Sequence, residues 1–132
     1  MIFIDSNVPM YLIGADHPNK PIARRIVERA LADGERLVTD VEVFQEILHR
    51  YVAINRRDAI DAAFEALSGI VSEIFPIDHG DVLRARTLVL TTTRLSARDA
   101  LHIAVIGRRD VSIVMSFDSG FDDIPGIVRV AV

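Results

Sequence analysis

The stretch Val111-Ser112-Ile113-Val114-Met115-Ser116-Phe117-Asp118 holds the clearest strand in the chain, Val111 to Met115, and it runs straight into an aspartate. The same pattern opens the sequence, where the apolar run Ile2-Phe3-Ile4 ends at Asp5. Short apolar runs of this kind read as buried strands, covered on both faces. Between them lie segments with helical spacing. Ser6-Asn7-Val8-Pro9 offers a cap and a first-turn proline for a helix that continues through Tyr11-Leu12-Ile13 and stops near Gly14. Asp16 to Pro21, with two prolines and no periodicity, reads as a loop. Ile22, Ile26, Val27, Ala30 and Leu31 define a helix to Asp33 that Gly34 closes.

The rest of the chain keeps alternating. Arg36 to Thr39 is a second short strand, and Asp40 can cap a helix carrying Val43, Phe44, Ile47, Leu48 and Tyr51. A further helix spans about Asp58 to Val71. Ile74 to Ile77 is a third strand, confined to an edge or a terminus by Pro76. Asp78 to Leu90 is helical by spacing, Ser96 caps a helix from Ala97 to Gly107, and Ile127 to Val130 is a final strand. Strands alternating with helices predict a three-layer α/β/α sandwich around a mostly parallel sheet of four to five strands. With 132 residues the expectation is one domain, residues 1–132.

Half of the residues are hydrophobic, which places the chain among globular proteins. With no cysteine, disulfides, thiolate metal sites and thiol nucleophiles are excluded. Neither a signal peptide nor an apolar run long enough to span a bilayer is evident, so a cytoplasmic protein without membrane attachment is expected. The net charge of −4 argues against a polyanionic partner, unless several acids are gathered around a cation that reverses the local sign.

Four acids stand out by position. Asp5 and Asp118 follow strands, and Asp99 lies in the first turn of the helix preceding the best strand. Open α/β sheets place ligands at the carboxyl ends of their strands, so Asp5 and Asp118 belong at one edge. Glu46 sits in an amphipathic helix whose polar neighbours Gln45 and His49 leave open whether it faces a cleft or water. Gathered carboxylates repel, by about 4 kcal/mol for two charges ~4 Å apart at an effective dielectric of ~20. Such a cluster takes up a proton or binds a cation. An all-oxygen site favours Mg²⁺ or Mn²⁺ over Zn²⁺, and carboxylate–Mg²⁺ sites serve phosphoryl transfer. Each residue also has a plainer role. Aspartates at strand ends commonly form turns or caps. Asn7, Ser116 and Asp122 can orient a ligand or cap a turn, and Arg94 and Arg98 flank Asp99, where they can meet a phosphate backbone. His102 can face the site but reads first as a packed histidine.

As a set, four segments resemble the PIN domain nearly end to end: Ile2-Phe3-Ile4-Asp5-Ser6-Asn7, Val43-Phe44-Gln45-Glu46-Ile47-Leu48, Arg98-Asp99-Ala100-Leu101-His102-Ile103-Ala104, and Val114-Met115-Ser116-Phe117-Asp118-Ser119-Gly120-Phe121 with Ile124 to Ile127. The resemblance implies a catalytic set of Asp5, Glu46, Asp99 and Asp118, with Asp5, Asp99 and Asp118 binding Mg²⁺ or Mn²⁺. It implies hydrolysis of RNA phosphodiester bonds, leaving 5′-phosphate and 3′-hydroxyl ends. Short stand-alone chains of this kind resemble VapC toxins, which dimerise and are blocked by a VapB-type antitoxin. A receiver domain needs a lysine after its last strand, but the sole lysine is Lys20, and an aspartyl-phosphate phosphatase needs an acid where Asn7 stands. A non-catalytic PIN-like binding module for RNA or protein remains the alternative, as does a housekeeping PIN nuclease without a toxin role.

Overall fold

Every strand pair in the sheet is parallel, which forces each connection to cross a face of the sheet instead of turning back in a hairpin. The computed structural model describes residues 1–130. Strands β1 (Ile2–Ile4), β2 (Leu37–Asp40), β3 (Glu73–Phe75), β4 (Ile113–Met115) and β5 (Val128–Val130) lie in the order β3-β2-β1-β4-β5. Helices α1 (Asn7–Ile13) and α2 (Asn19–Ala32) join β1 to β2; α3 (Val41–Ala53) and α4 (Ile60–Ile70) join β2 to β3; α5 (His79–Thr91) and α6 (Ala97–Gly107) join β3 to β4. The first two crossings move outward from β1 in one direction, and the third returns over the sheet to its other side. Because such crossovers are right-handed, α5 and α6 cover the face opposite α1 to α4. Helix α1 packs on α2 and α4, and α5 packs on α6. These are the expected three layers.

The register explains where polar residues collect. Ile4 pairs with Met115, so Asp5 and Ser116 leave the sheet side by side, and the Asp5 N–H donates to the Met115 carbonyl at 3.1 Å. On the other flank of β1, Thr39 Oγ1 donates to the Ile4 carbonyl at 2.9 Å, so that β2 brings Asp40 to the same edge. All residues of β1 and β2 are buried. Phe3, Ile4, Val38, Val114 and Met115 in the sheet, with Ile47, Leu67 and Ile106 from the helices, make the fully buried centre.

The expected elements are all present, with shifted ends. Helix α2 starts at Asn19 and takes in Lys20 and Pro21, because a proline in the first turn lacks only an N–H that has no helical acceptor. The helix expected from Asp58 begins as a 3₁₀ turn, Arg57–Ala59. Strand β4 starts at Ile113 because the Val111 N–H bonds the Ile106 carbonyl and remains tied to the end of α6. The strand expected at Ile74 to Ile77 runs instead from Glu73 to Phe75 and stops before Pro76; β3 lies at one edge and β5 at the other. Gly34 closes α2 at φ +79°, a left-handed conformation that glycine adopts without strain.

Asp81 fastens α5 to the far end of α6. Its side chain has no solvent exposure, takes two hydrogen bonds of 2.9 Å from the Arg108 guanidinium and one from Arg84, and accepts the Asp78 N–H to complete a capping box. Burial alone would raise its pKa, but the bonds from Arg108, the Asp78 backbone and Arg84 outweigh it and hold the carboxyl at about 2, below its ordinary 3.8. A depressed folded-state pKa stabilises the fold above the unfolded value, and the contribution is lost as pH falls through about 2. Asp81→Asn is expected to melt several degrees below wild type at pH 7. The gap should close between about pH 4 and pH 2, as read by circular dichroism melts across that range.

Candidate metal centre

Three aspartates converge where the sheet's connections reverse direction, between β1 and β4. Asp5, almost fully buried, is held at both oxygens: Oδ1 accepts the Ser6 N–H at 2.8 Å, and Oδ2 accepts the Ser116 hydroxyl at 2.7 Å and Asn7 Nδ2 at 3.4 Å. Asn7 also donates to Ser116 Oγ at 3.1 Å and accepts the Phe117 N–H, so α1 and the loop after β4 are clamped around Asp5. Asp99 enters from the first turn of α6, whose cap Ser96 accepts the Asp99 N–H at 3.1 Å. Asp118 begins the 3₁₀ turn Ser119–Phe121 and accepts the Gly120 N–H at 2.9 Å. A Cβ on Gly120 would stand 2.7 Å from Asp99 Oδ2 and 3.3 Å from Asp118 Oδ1. The two carboxylates thus reach the same small volume, and a side chain there would push into them.

Burial, then the charges of Asp5 and Asp118, push Asp99 up to about 6, and burial likewise raises Asp5. Among the described residues, no arginine or lysine pairs with Asp5, Asp99 or Asp118. The centre is an all-oxygen donor set whose negative charge no arginine or lysine pairs directly, which fits a hard divalent cation.

Glu46 turns inward. It is buried, its Oε2 accepts the Ser6 hydroxyl at 2.8 Å, and its Oε1 lies 2.5 Å from His102 Nε2. The other ring nitrogen, Nδ1, lies 2.7 Å from Asp40 Oδ2. A fully buried imidazole between two carboxylates is held in its cationic form: burial opposes the charge, but the bonds to Asp40 and Glu46 raise its pKa well above 6.5. Burial also opposes the charge of Glu46, but His102, with the Ser6 hydroxyl and Arg98, keeps that carboxyl below its ordinary range. Oxygens of Asp5 and Glu46 and a nitrogen of His102 lie within 4.8 Å of one another. Because both His102 nitrogens face carboxylates, His102 serves this cluster as a clamp on Glu46, and the atoms left open to a cation are carboxylate oxygens.

The other expected residues divide. Asn7 and Ser116 touch the centre. Asp122 does not: it forms a paired contact with Arg129 at 2.7 and 3.1 Å, and Arg129 in turn donates to the Ser116 carbonyl, bracing the end of β4 against β5. Arg94 and Arg98 sit in different grooves. Arg94 and the threonines Thr91 to Thr93 line a polar groove of about 640 Å³ that reaches Asp118 and Gly120. Arg98 lines a groove of about 490 Å³ on the Ser6, Asn7 and Glu46 side. Two parts of the site were not legible as such. Ser6, expected as a cap, makes no capping bond and holds Glu46 instead. Asp40 does cap α3, its Oδ1 accepting the Val43 N–H at 3.0 Å, while its second oxygen holds His102. The available signal was Asp40 ending a strand as Asp5 does, and His102 lying one helical turn after Asp99.

The family model described as PIN domain matches residues 2–127. Ribonuclease VapC13 of Mycobacterium tuberculosis is 60% identical over 131 residues, which cover 99% of this chain and 100% of that protein. Among solved structures, Mycobacterium tuberculosis VapC20, described as a Sarcin-Ricin loop cleaving toxin, superposes with a TM-score of 0.80 at 21% identity over 100% of both chains. A toxin-antitoxin complex from Klebsiella pneumoniae gives 0.70 at 18% identity, over 97% of this chain and 96% of that one. These two structures establish a shared fold.

Removing the imidazole leaves two buried carboxylates without their cation, a loss that costs about 3–5 kcal/mol where a buried pair is broken. His102→Leu is expected to lower the stability measured by urea unfolding by about that amount. Asp122→Asn, which loses only an exposed ion pair, is expected to leave it nearly unchanged.

Proposed function

The chain belongs to the PIN-domain family, among the VapC ribonucleases, and on that premise we propose that it is a divalent-metal-dependent endoribonuclease whose centre is Asp5, Asp99 and Asp118 with Glu46 assisting. The observation that carries the reading is the convergence of Asp99 and Asp118 on Gly120 beside the immobilised Asp5, with no arginine or lysine ion-paired to any of the three among the described residues. A bound Mg²⁺ or Mn²⁺ supplies two things here: it offsets charge on a phosphodiester and lowers the pKa of a water.

The residues divide the remaining work. Asp5, fixed by Ser6, Asn7 and Ser116, offers its oxygens in one orientation, so little ordering is left for the moment of binding. Asp99 contributes a carboxylate from α6 whose proton is readily displaced by a cation. Asp118 is exposed and faces both the cluster and the outer groove, where a phosphate arriving from solvent meets it first. Glu46, kept ionised and pinned by Ser6 and His102, presents an acceptor for a water proton. Hydrolysis adds water across the bond between phosphorus and the 3′-oxygen, leaving 5′-phosphate and 3′-hydroxyl ends. Arg98 and Arg94, in separate grooves, suit phosphates on either side of the cut.

In the cell the reading extends to a cytoplasmic toxin, homodimeric and held inactive by a VapB-type antitoxin. The VapC name of the relative at 60% identity and the toxin-antitoxin neighbour support it. Among the described residues, no helix is long and apolar enough to cross a membrane.

Purified protein, freed of any partner, is expected to cleave cellular RNA in Mg²⁺ or Mn²⁺ and not in EDTA. Asp99→Asn should abolish cleavage, and Ser116→Ala, which only loosens Asp5, should slow it roughly 10–100-fold. RNA binding that is indifferent to metal, with no cleavage under any ion, would make the protein a non-catalytic binding module. Expression of the wild type alone should arrest growth, and expression of Asp99→Asn should not; harmless expression of an active wild type would identify a housekeeping nuclease.

A further inference from the structure

Three aromatic rings lead outward from the acidic centre. Phe117 lies between Ser116 and Asp118. Tyr11 of α1 meets it edge-on, with centroids 5.0 Å apart and planes at 73°. His17, in the loop before α2, lies against Tyr11 at 4.9 Å and 34°. The His17 ring is exposed but not loose: its Nδ1 accepts the Asn19 N–H at 3.0 Å, which fixes the ring's orientation while Tyr11 supports one face. An exposed aromatic ring held from two sides by its own chain, with its outer face turned to solvent, is a ready stacking surface.

Tyr11 and His17 line the groove of about 490 Å³, within the range of small-ligand sites. Ser6, Asn7 and Glu46 line it and also belong to the acidic centre, so the groove and the centre form one continuous surface. Arg50 and Arg98 line it as well, both exposed and neither paired with a carboxylate among the described residues. Flat aromatic surface flanked by unpaired guanidinium groups suits an unstacked base with a phosphate on each side.

Resting on the reading of the chain as a ribonuclease, we propose that this groove is a subsite for one unpaired nucleotide of the RNA, whose base stacks on His17 while Arg50 and Arg98 take the adjoining phosphates. Tyr11 is a positioning residue that carries the His17 ring and does not itself meet the base. The subsite selects single-stranded or looped RNA, because a paired base has both faces covered by its neighbours in the helix.

The test is binding by fluorescence anisotropy, at low ionic strength in EDTA, of short random-sequence single-stranded RNA and of an RNA duplex of the same length. The full chain is compared with His17→Ala and His17→Phe. Loss of the ring should weaken single-strand binding roughly tenfold, the phenylalanine should restore it, and duplex binding should stay unchanged. Equal loss on both RNAs, failure of His17→Phe to rescue, or a wild type with no preference for the single strand would each overturn the subsite. Unchanged affinity of His17→Ala for both RNAs would also overturn it, and would leave the groove to a peptide segment of a protein partner. Metal-dependent cleavage by the wild type is scored separately, so failure of the nuclease reading is distinguishable from failure of the subsite.

Discussion

Concentrating carboxylates at one edge of a sheet is the constraint on which the rest of this structure depends. Asp5, Glu46, Asp99 and Asp118 come from four separate segments, and Asp40 adds a fifth acid a few ångströms away. Like charges so close are unfavourable by several kcal/mol unless something offsets them. Two devices divide the task. On one side, the buried His102 cation bridges Asp40 and Glu46 and neutralises that half internally. On the other, Asp5, Asp99 and Asp118 have no arginine or lysine ion-paired to them, and burial together with the charges of Asp5 and Asp118 pushes Asp99 up to about 6. The fold thus separates a closed, self-compensated half from an open half that still requires a cation.

The parallel sheet makes this arrangement possible. All five strands end at the same edge, and the crossing from β3 back to β4 places that strand beside β1, so Asp5 and Ser116 emerge side by side. Burial of β1 and β2 on both faces fixes their register, and with it the position of Asp5 and Asp40. Fastening at the opposite ends of the helices, as by Asp81 to Arg108, keeps α6 from shifting along α5. The apolar layers beneath the acids hold the geometry.

How much of this was legible follows from which residues speak locally. Apolar runs ending in acids, such as Ile2 to Asp5 and Val114 to Asp118, announce buried strands and their functional ends in a few residues, and helix spacing with caps at Asp40 and Ser96 completes the layer pattern. Ends were less legible where a single hydrogen bond decides them, as at Val111. The direction of Glu46 was not legible, because its helix has polar neighbours on either side and the deciding contacts, Ser6 and His102, lie 40 and 56 residues away in sequence. The clamp role of His102 was hidden for the same reason: a histidine beside apolar residues reads as core, and only tertiary packing brings Asp40 to its other nitrogen, 62 residues away. The pairing of Asp122 with Arg129, along the groove that reaches Asp118, was not legible either, because the two lie on different segments that meet only in the fold.

The central claim is that the open half of the cluster is a cation site, and calorimetric titration of Mn²⁺ into the metal-free protein tests it most directly. Saturable binding by the wild type that disappears in Asp99→Asn and persists in Asp122→Asn is the result this structure predicts. Binding that survives Asp99→Asn undiminished, or a folded wild type that takes up no Mn²⁺ at all, would contradict it.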